Sequence, residues 1–102
     1  MIRITHAVEG TFVLLDGEQP TGGAHAAFGD ELTLFSVDAP DAVFAEGLVR
    51  AVLNAGRERG LKRAVCHEPT LFALLDRLEF SVTEEGRAVD IPAFFARGCR
   101  HE

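Results

Sequence analysis

Residues 31–80 read ELTLFSVDAPDAVFAEGLVRAVLNAGRERGLKRAVCHEPTLFALLDRLEF, and the order of patterns within them decides the fold. Glu31 to Val37 alternates as a half-buried strand does. Asp38-Ala-Pro-Asp41 breaks it. From Ala42 to Arg59 the apolar residues Phe44, Leu48, Val52 and Ala55 fall on one face, with Ala45, Val49 and Leu53 beside them. Glu46, Arg50, Asn54, Arg57 and Glu58 form the wet face, a helical period over about five turns. Asp41 is positioned to cap the start and Gly60 to stop the end. Gly47 and Gly56 each weaken such a helix by about 1 kcal/mol relative to alanine, so close packing against a sheet is their expected reason. Leu61 to Cys66 reads as a short buried strand, and Pro69 fits a first helical position. Leu71, Leu74, Leu75 and Leu78 give that second helix its buried face, and Phe80 to Thr83 resumes a strand.

Ahead of this stretch, Ile2, Ile4 and His6 alternate with Arg3 and Thr5, and Thr11 to Leu15 is a second strand. Glu18 to Gly23 has turn chemistry, with Pro20 and two glycines. Ala24 to Phe28 is a third strand, joined to the fourth by a tight turn at Gly29-Asp30. Short turns between these runs imply an antiparallel meander. Beyond Phe80, Glu84-Glu85-Gly86 turns, Ala88 to Ile91 pairs back as a hairpin, and Pro92 to Arg97 makes a last helical turn. The expected architecture is one α/β domain over residues 1–102: a mixed, mostly antiparallel sheet with two main helices.

Composition narrows the function classes. The formal charge of −6 is uneven: residues 1–50 hold eight acids against two bases, whereas 51–102 hold eight of each. An acidic half repels phosphate backbones, so nucleic acid is not an expected partner. No signal pattern or membrane-length apolar run is present, and neither Cys66 nor Cys99 belongs to a CxxC pair. A cytoplasmic chain with reduced thiols is the expectation. The sheet edges carry little protective charge or proline, which makes a homodimer the expected assembly.

The order of elements resembles the GNAT superfamily of N-acyltransferases. The likeness rests on Thr11-Phe-Val-Leu-Leu-Asp-Gly17 with Gly22-Gly23-Ala24, on Glu31 to Val37 as the fourth strand, and on Leu74-Leu-Asp-Arg-Leu-Glu-Phe80 as the helix-to-strand segment. In the last, Glu79 replaces the usual glycine. The resemblance implies acetyl-CoA as cofactor, held at Phe35, Val37, Val43 and Ala45, with Glu31 as general base. It also implies a pyrophosphate loop of the form Arg/Gln-x-x-Gly-x-Gly/Ala before the long helix, where helix amides and glycines receive phosphate. Here those positions are Pro40, Val43 and Ala45, and only Ala45 fits; the surrounding Asp38, Asp41 and Glu46 carry the wrong sign. The general-acid tyrosine is replaced by Leu75, and the chain contains no tyrosine. The helices that usually follow the first strand and help bind acceptor have no room before Thr11. The reading is a GNAT-like domain that has lost catalysis and binds another ligand or a protein; the alternative is a minimal acetyl-CoA-dependent N-acetyltransferase using Glu31.

Other reactive residues have blander readings beside the chemical ones. Glu31 is a base if a sheet interior raises its pKa, or a solvated carboxylate beside Asp30. Cys66 and His67 are adjacent on a strand and should point to opposite faces, which argues against a thiolate–imidazole pair. Cys99 and His101 could meet His67 or His25 around a metal, but the spacing matches no zinc site, so none is expected.

Overall fold

The computed structural model describes residues 2–98. Seven strands form one sheet: β1 (Ile2–Val8), β2 (Thr11–Asp16), β3 (Gln19–Phe28), β4 (Leu32–Asp38), β5 (Arg63–Cys66), β6 (Ser81–Val82) and β7 (Arg87–Asp90). Their order across the sheet is β1-β2-β3-β4-β5-β7-β6. β1 to β4 are the antiparallel meander; β4 and β5 are the single parallel pair, joined by helix α1 (Ala42–Glu58). A 3-10 turn at Pro69–Leu71 leads into α2 (Phe72–Arg77), and α3 (Ile91–Gly98) closes the described chain. The mixed, mostly antiparallel sheet is as expected. The final helical turn is a full helix, because Asp90 caps it through the amide of Ala93 at 2.8 Å.

One face of the sheet carries the core. Phe12, Leu14, Ala24, Leu32, Leu34, Ala64, Cys66 and Val89 point to it from the strands, and Leu48, Val49, Val52 and Leu53 meet them from α1. Leu71, Leu74, Leu75, Leu78 and Phe80 extend the same cluster, and Ile91 and Phe94 seal it from α3. Alternation along each strand therefore decides which residues enter the core and which remain on the opposite face.

The third strand is longer than its composition suggests. The turn chemistry read at Glu18 to Gly23 shrinks to Gly17-Glu18, and Gln19–Phe28 is all strand. Pro20 is tolerated because β4 pairs only with Gly23–Phe28, so its missing N–H lies beyond that ladder. Gly22 and Gly23 serve close approach: a Cβ there would lie 2.3 Å from the Asp38 carbonyl oxygen and 2.5 Å from that of Phe12.

The two glycines of α1 differ. At Gly56 a Cβ would stand 2.6 Å from Leu32 Cδ1 and 3.4 Å from Ile91 Cδ1, so close packing explains it. At Gly47 the nearest atom is Ile4 Cδ1 at 3.8 Å, an ordinary contact that requires no glycine. Gly47→Ala is therefore expected to stabilise the fold by about 0.5–1 kcal/mol, and Gly56→Ala to destabilise it. Chemical denaturation of the two variants checks this; a loss of stability at position 47 would contradict the packing described.

Candidate functional site

β4 and β5 stay paired only from Leu32/Ala64 to Leu34/Cys66. β5 then ends, while β4 runs on to Asp38, so the sheet opens on that side of β4. The opening begins at a bulge. Ala26 pairs with Leu34 but His25 pairs with Ser36, which leaves Phe35 as the extra residue. Phe35 is 53% exposed at this point. Val37, beyond it, packs against the core.

The start of α1 stands at the far end of the same opening. Asp41 caps it: its Oδ1 accepts from the Phe44 amide at 3.0 Å, and its carbonyl accepts from the Ala45 amide at 3.0 Å. One of the first-turn donors is thus already satisfied by an anion, and the positive end of the helix by a fixed carboxylate. Val43 is 75% exposed, whereas Ala45 packs against the core. Of the four positions assigned to a cofactor, Phe35 and Val43 face outward, and Val37 and Ala45 are part of the packing. Asp38 remains exposed. Glu46 is not free: Arg77 of α2 pairs with it at 3.4 Å, a neutralising base that reading along the chain missed because it arrives from 31 residues away.

Glu31 sits just before β4, on the face opposite the helices. Arg63 Nη1 donates to its Oε2 at 2.8 Å, and both side chains are about half exposed. The two line a shallow cavity of about 300 Å³ with Val65, His67, Thr83, Glu84 and Glu85. His67 Nδ1 lies 3.2 Å from the Glu85 carbonyl oxygen, to which it donates. The Glu84-Glu85 wall was not legible in the sequence: β7 enters the sheet beside β5, and this insertion carries the β6–β7 turn over Val65. No local pattern announces that strand order.

Cys66 and His67 point to opposite faces, as alternation requires. Cys66 is fully buried in the core, where burial pushes its thiol pKa upward, so it is no nucleophile. His25 is exposed, with Nδ1 3.4 Å from Thr11 Oγ1. Leu75 is wholly buried among the core leucines, not at the opening. Asp76 holds Arg87 by two contacts at 2.6 and 3.2 Å, which keeps its carboxyl below the usual range and ties α2 to β7. Among the described residues no cluster of His, Cys, Asp or Glu could hold a metal ion, and no helix is long and apolar enough to cross a membrane. Cys99 and His101 lie outside the described residues.

The architecture matches solved structures closely. A GNAT-family acetyltransferase structure from Desulfovibrio desulfuricans superposes with a TM-score of 0.67 at 14% identity, covering 79% of this chain and 68% of that one. The ribosomal-protein-S18-alanine N-acetyltransferase of Escherichia coli gives 0.62 at 19% identity, with the same coverages of 79% and 68%. The PaiA N-acetyltransferase of Thermoplasma acidophilum, solved in complex with coenzyme A, gives 0.64 at 8% identity and covers 76% of this chain and 57% of that one. No family model and no curated protein matches the sequence. This chain has the GNAT fold. Identities this low establish the fold alone.

Proposed function

We propose that this chain is a noncatalytic GNAT-like domain that uses the scaffold to bind a ligand or protein other than an acyl-CoA. The observation that carries this reading is the Asp41 carboxylate bound to the Phe44 amide at the head of α1. A diphosphate seated there would have to displace that carboxylate and approach Asp38, with no arginine or lysine between residues 38 and 46 to offset the repulsion. The buried Leu75 offers no proton to a departing thiolate. Glu31 is engaged by Arg63 through one carboxylate oxygen, so a base role would have to compete with that ion pair. Acidic groups at the head of α1 and at Glu84-Glu85 favour a cationic or amine-bearing ligand over a phosphate one.

The second reading, a minimal acetyl-CoA-dependent N-acetyltransferase with Glu31 as base, draws on the gap between β4 and β5 and on the coenzyme A bound to the Thermoplasma relative. Calorimetry with acetyl-CoA at low salt separates the two. The first reading predicts no saturable heat at millimolar ligand. Saturable heat, together with turnover that Glu31→Gln abolishes, would establish the second. If any weak binding occurs at the α1 head, Asp38→Ala with Asp41→Ala should strengthen it, since each removes a repelling charge.

A further inference from the structure

We propose that β1 is a dimerisation edge, pairing antiparallel with β1 of a second copy about a two-fold axis through Ile4. The sheet has two edges. β6 is two residues long, too short to template another strand. β1 has seven residues and among the described residues pairs only with β2, so within them its outer N–H and C=O groups have no strand partner. Its regular part is Ile2 to His6, because the ladder shifts between His6 and Val8 and sets Val8 opposite Thr11, on the other face. That part contains neither lysine nor proline, and Arg3 is its one charged guard. It also leaves Ile2 41% exposed on the face where Ile4 reaches the core.

The occupant follows from the register. A two-fold axis perpendicular to a continuous sheet keeps each side chain on its own face, so the axis must pass through a residue position. Through Ile4, Ile2 falls opposite the partner's His6, Arg3 opposite the partner's Thr5, and Ile4 opposite the partner's Ile4. Ile2, Ile4 and the ring of His6 then continue the core face, and Arg3 meets a hydroxyl of the kind it already contacts within its own strand, Thr5 Oγ1 at 3.2 Å. An axis through Arg3 would oppose two guanidinium groups, and one through Thr5 would set Ile2 against the bulged end of the strand. The segment is self-complementary about Ile4.

Such pairing contributes about four to six backbone hydrogen bonds but covers well under about 1,000 Å², so the dimer is weak, with a dissociation constant on the order of 100 μM. Sedimentation equilibrium from about 10 μM to 1 mM tests it. Thr5 lies on the sheet face away from the core, so charged substitutions there leave folding intact. Thr5→Glu places two carboxylates opposite two Arg3 side chains and should tighten the dimer roughly two- to thirtyfold; Thr5→Arg should weaken it by a similar factor. Hydrogen exchange of the wild-type chain should show amides of Ile2 to His6 gaining protection as concentration rises. A monomer throughout the range, a dimer indifferent to both substitutions, weakening by Thr5→Glu, or exchange independent of concentration would each overturn the proposal.

Discussion

Leu75→Tyr is expected to destabilise the domain by several kcal/mol and to yield no acetyltransferase activity. At this position the GNAT resemblance would place the general-acid tyrosine, so the substitution looks like a repair. The side chain of Leu75 is, however, fully buried among the leucines of α2 and the inner face of α1. A tyrosine adds ring volume to a filled site, which costs about 1–3 kcal/mol. It also buries a hydroxyl that finds no partner there, costing about 1–3 kcal/mol more. Leu75→Ala provides the comparison, since removing the same side chain should cost about 2–5 kcal/mol through the cavity it leaves. Urea denaturation gives both values. A stable tyrosine variant with measurable acetyl transfer would mean that position 75 reaches the opening beside β4, contrary to the packing.

Gly10→Ala is expected to be comparably damaging. Gly10 turns the β1–β2 hairpin at a φ of 83°, a backbone conformation that costs L-residues about 1–2 kcal/mol. An added Cβ would lie 2.2 Å from the Ala26 carbonyl oxygen, a backbone atom that cannot swing aside. The same glycine is bound on both sides: its amide donates to His6 Nε2 at 3.0 Å, and its carbonyl accepts from the Ala26 amide at 2.8 Å. His6 is in turn stacked on Phe12 at 4.2 Å between ring centres. Moving the turn to relieve the clash would strain all of these contacts, so a loss of about 3 kcal/mol or more is expected. For a domain of this size that is a large share of a total stability of about 5–15 kcal/mol. Thermal unfolding followed by circular dichroism checks it, and a melting temperature within a few degrees of wild type would contradict the described turn.

The parts of this fold that were legible in sequence are those set by local periodicity. The stripe of Phe44, Leu48, Val52 and Ala55 fixed α1, and Asp41 announced its own role as cap. The leucines of α2 were visible for the same reason. What escaped depends on partners remote in sequence. Gln19 to Gly23 reads as a turn by composition, yet pairing with β2 draws it into a strand. Gly47 and Gly56 look equivalent until the neighbours Ile4 and Leu32 are placed. At the site, Asp38, Asp41 and Glu46 read as one unrelieved acidic loop, whereas Arg77 neutralises the third. Glu31 offered two readings, base or solvated carboxylate beside Asp30; its partner is Arg63, from the start of a strand 32 residues on.

The proposed loss of the diphosphate seat is tested most directly at the amides themselves. Backbone amide resonances of residues 42 to 45, followed by NMR during titration with acetyl-CoA, report on the head of α1 atom by atom. With Asp41 seated on the Phe44 amide, these resonances should stay fixed to millimolar ligand. Saturable shifts centred on Val43, Phe44 and Ala45, reproduced by coenzyme A fragments that bear the diphosphate and absent with fragments that lack it, would contradict it.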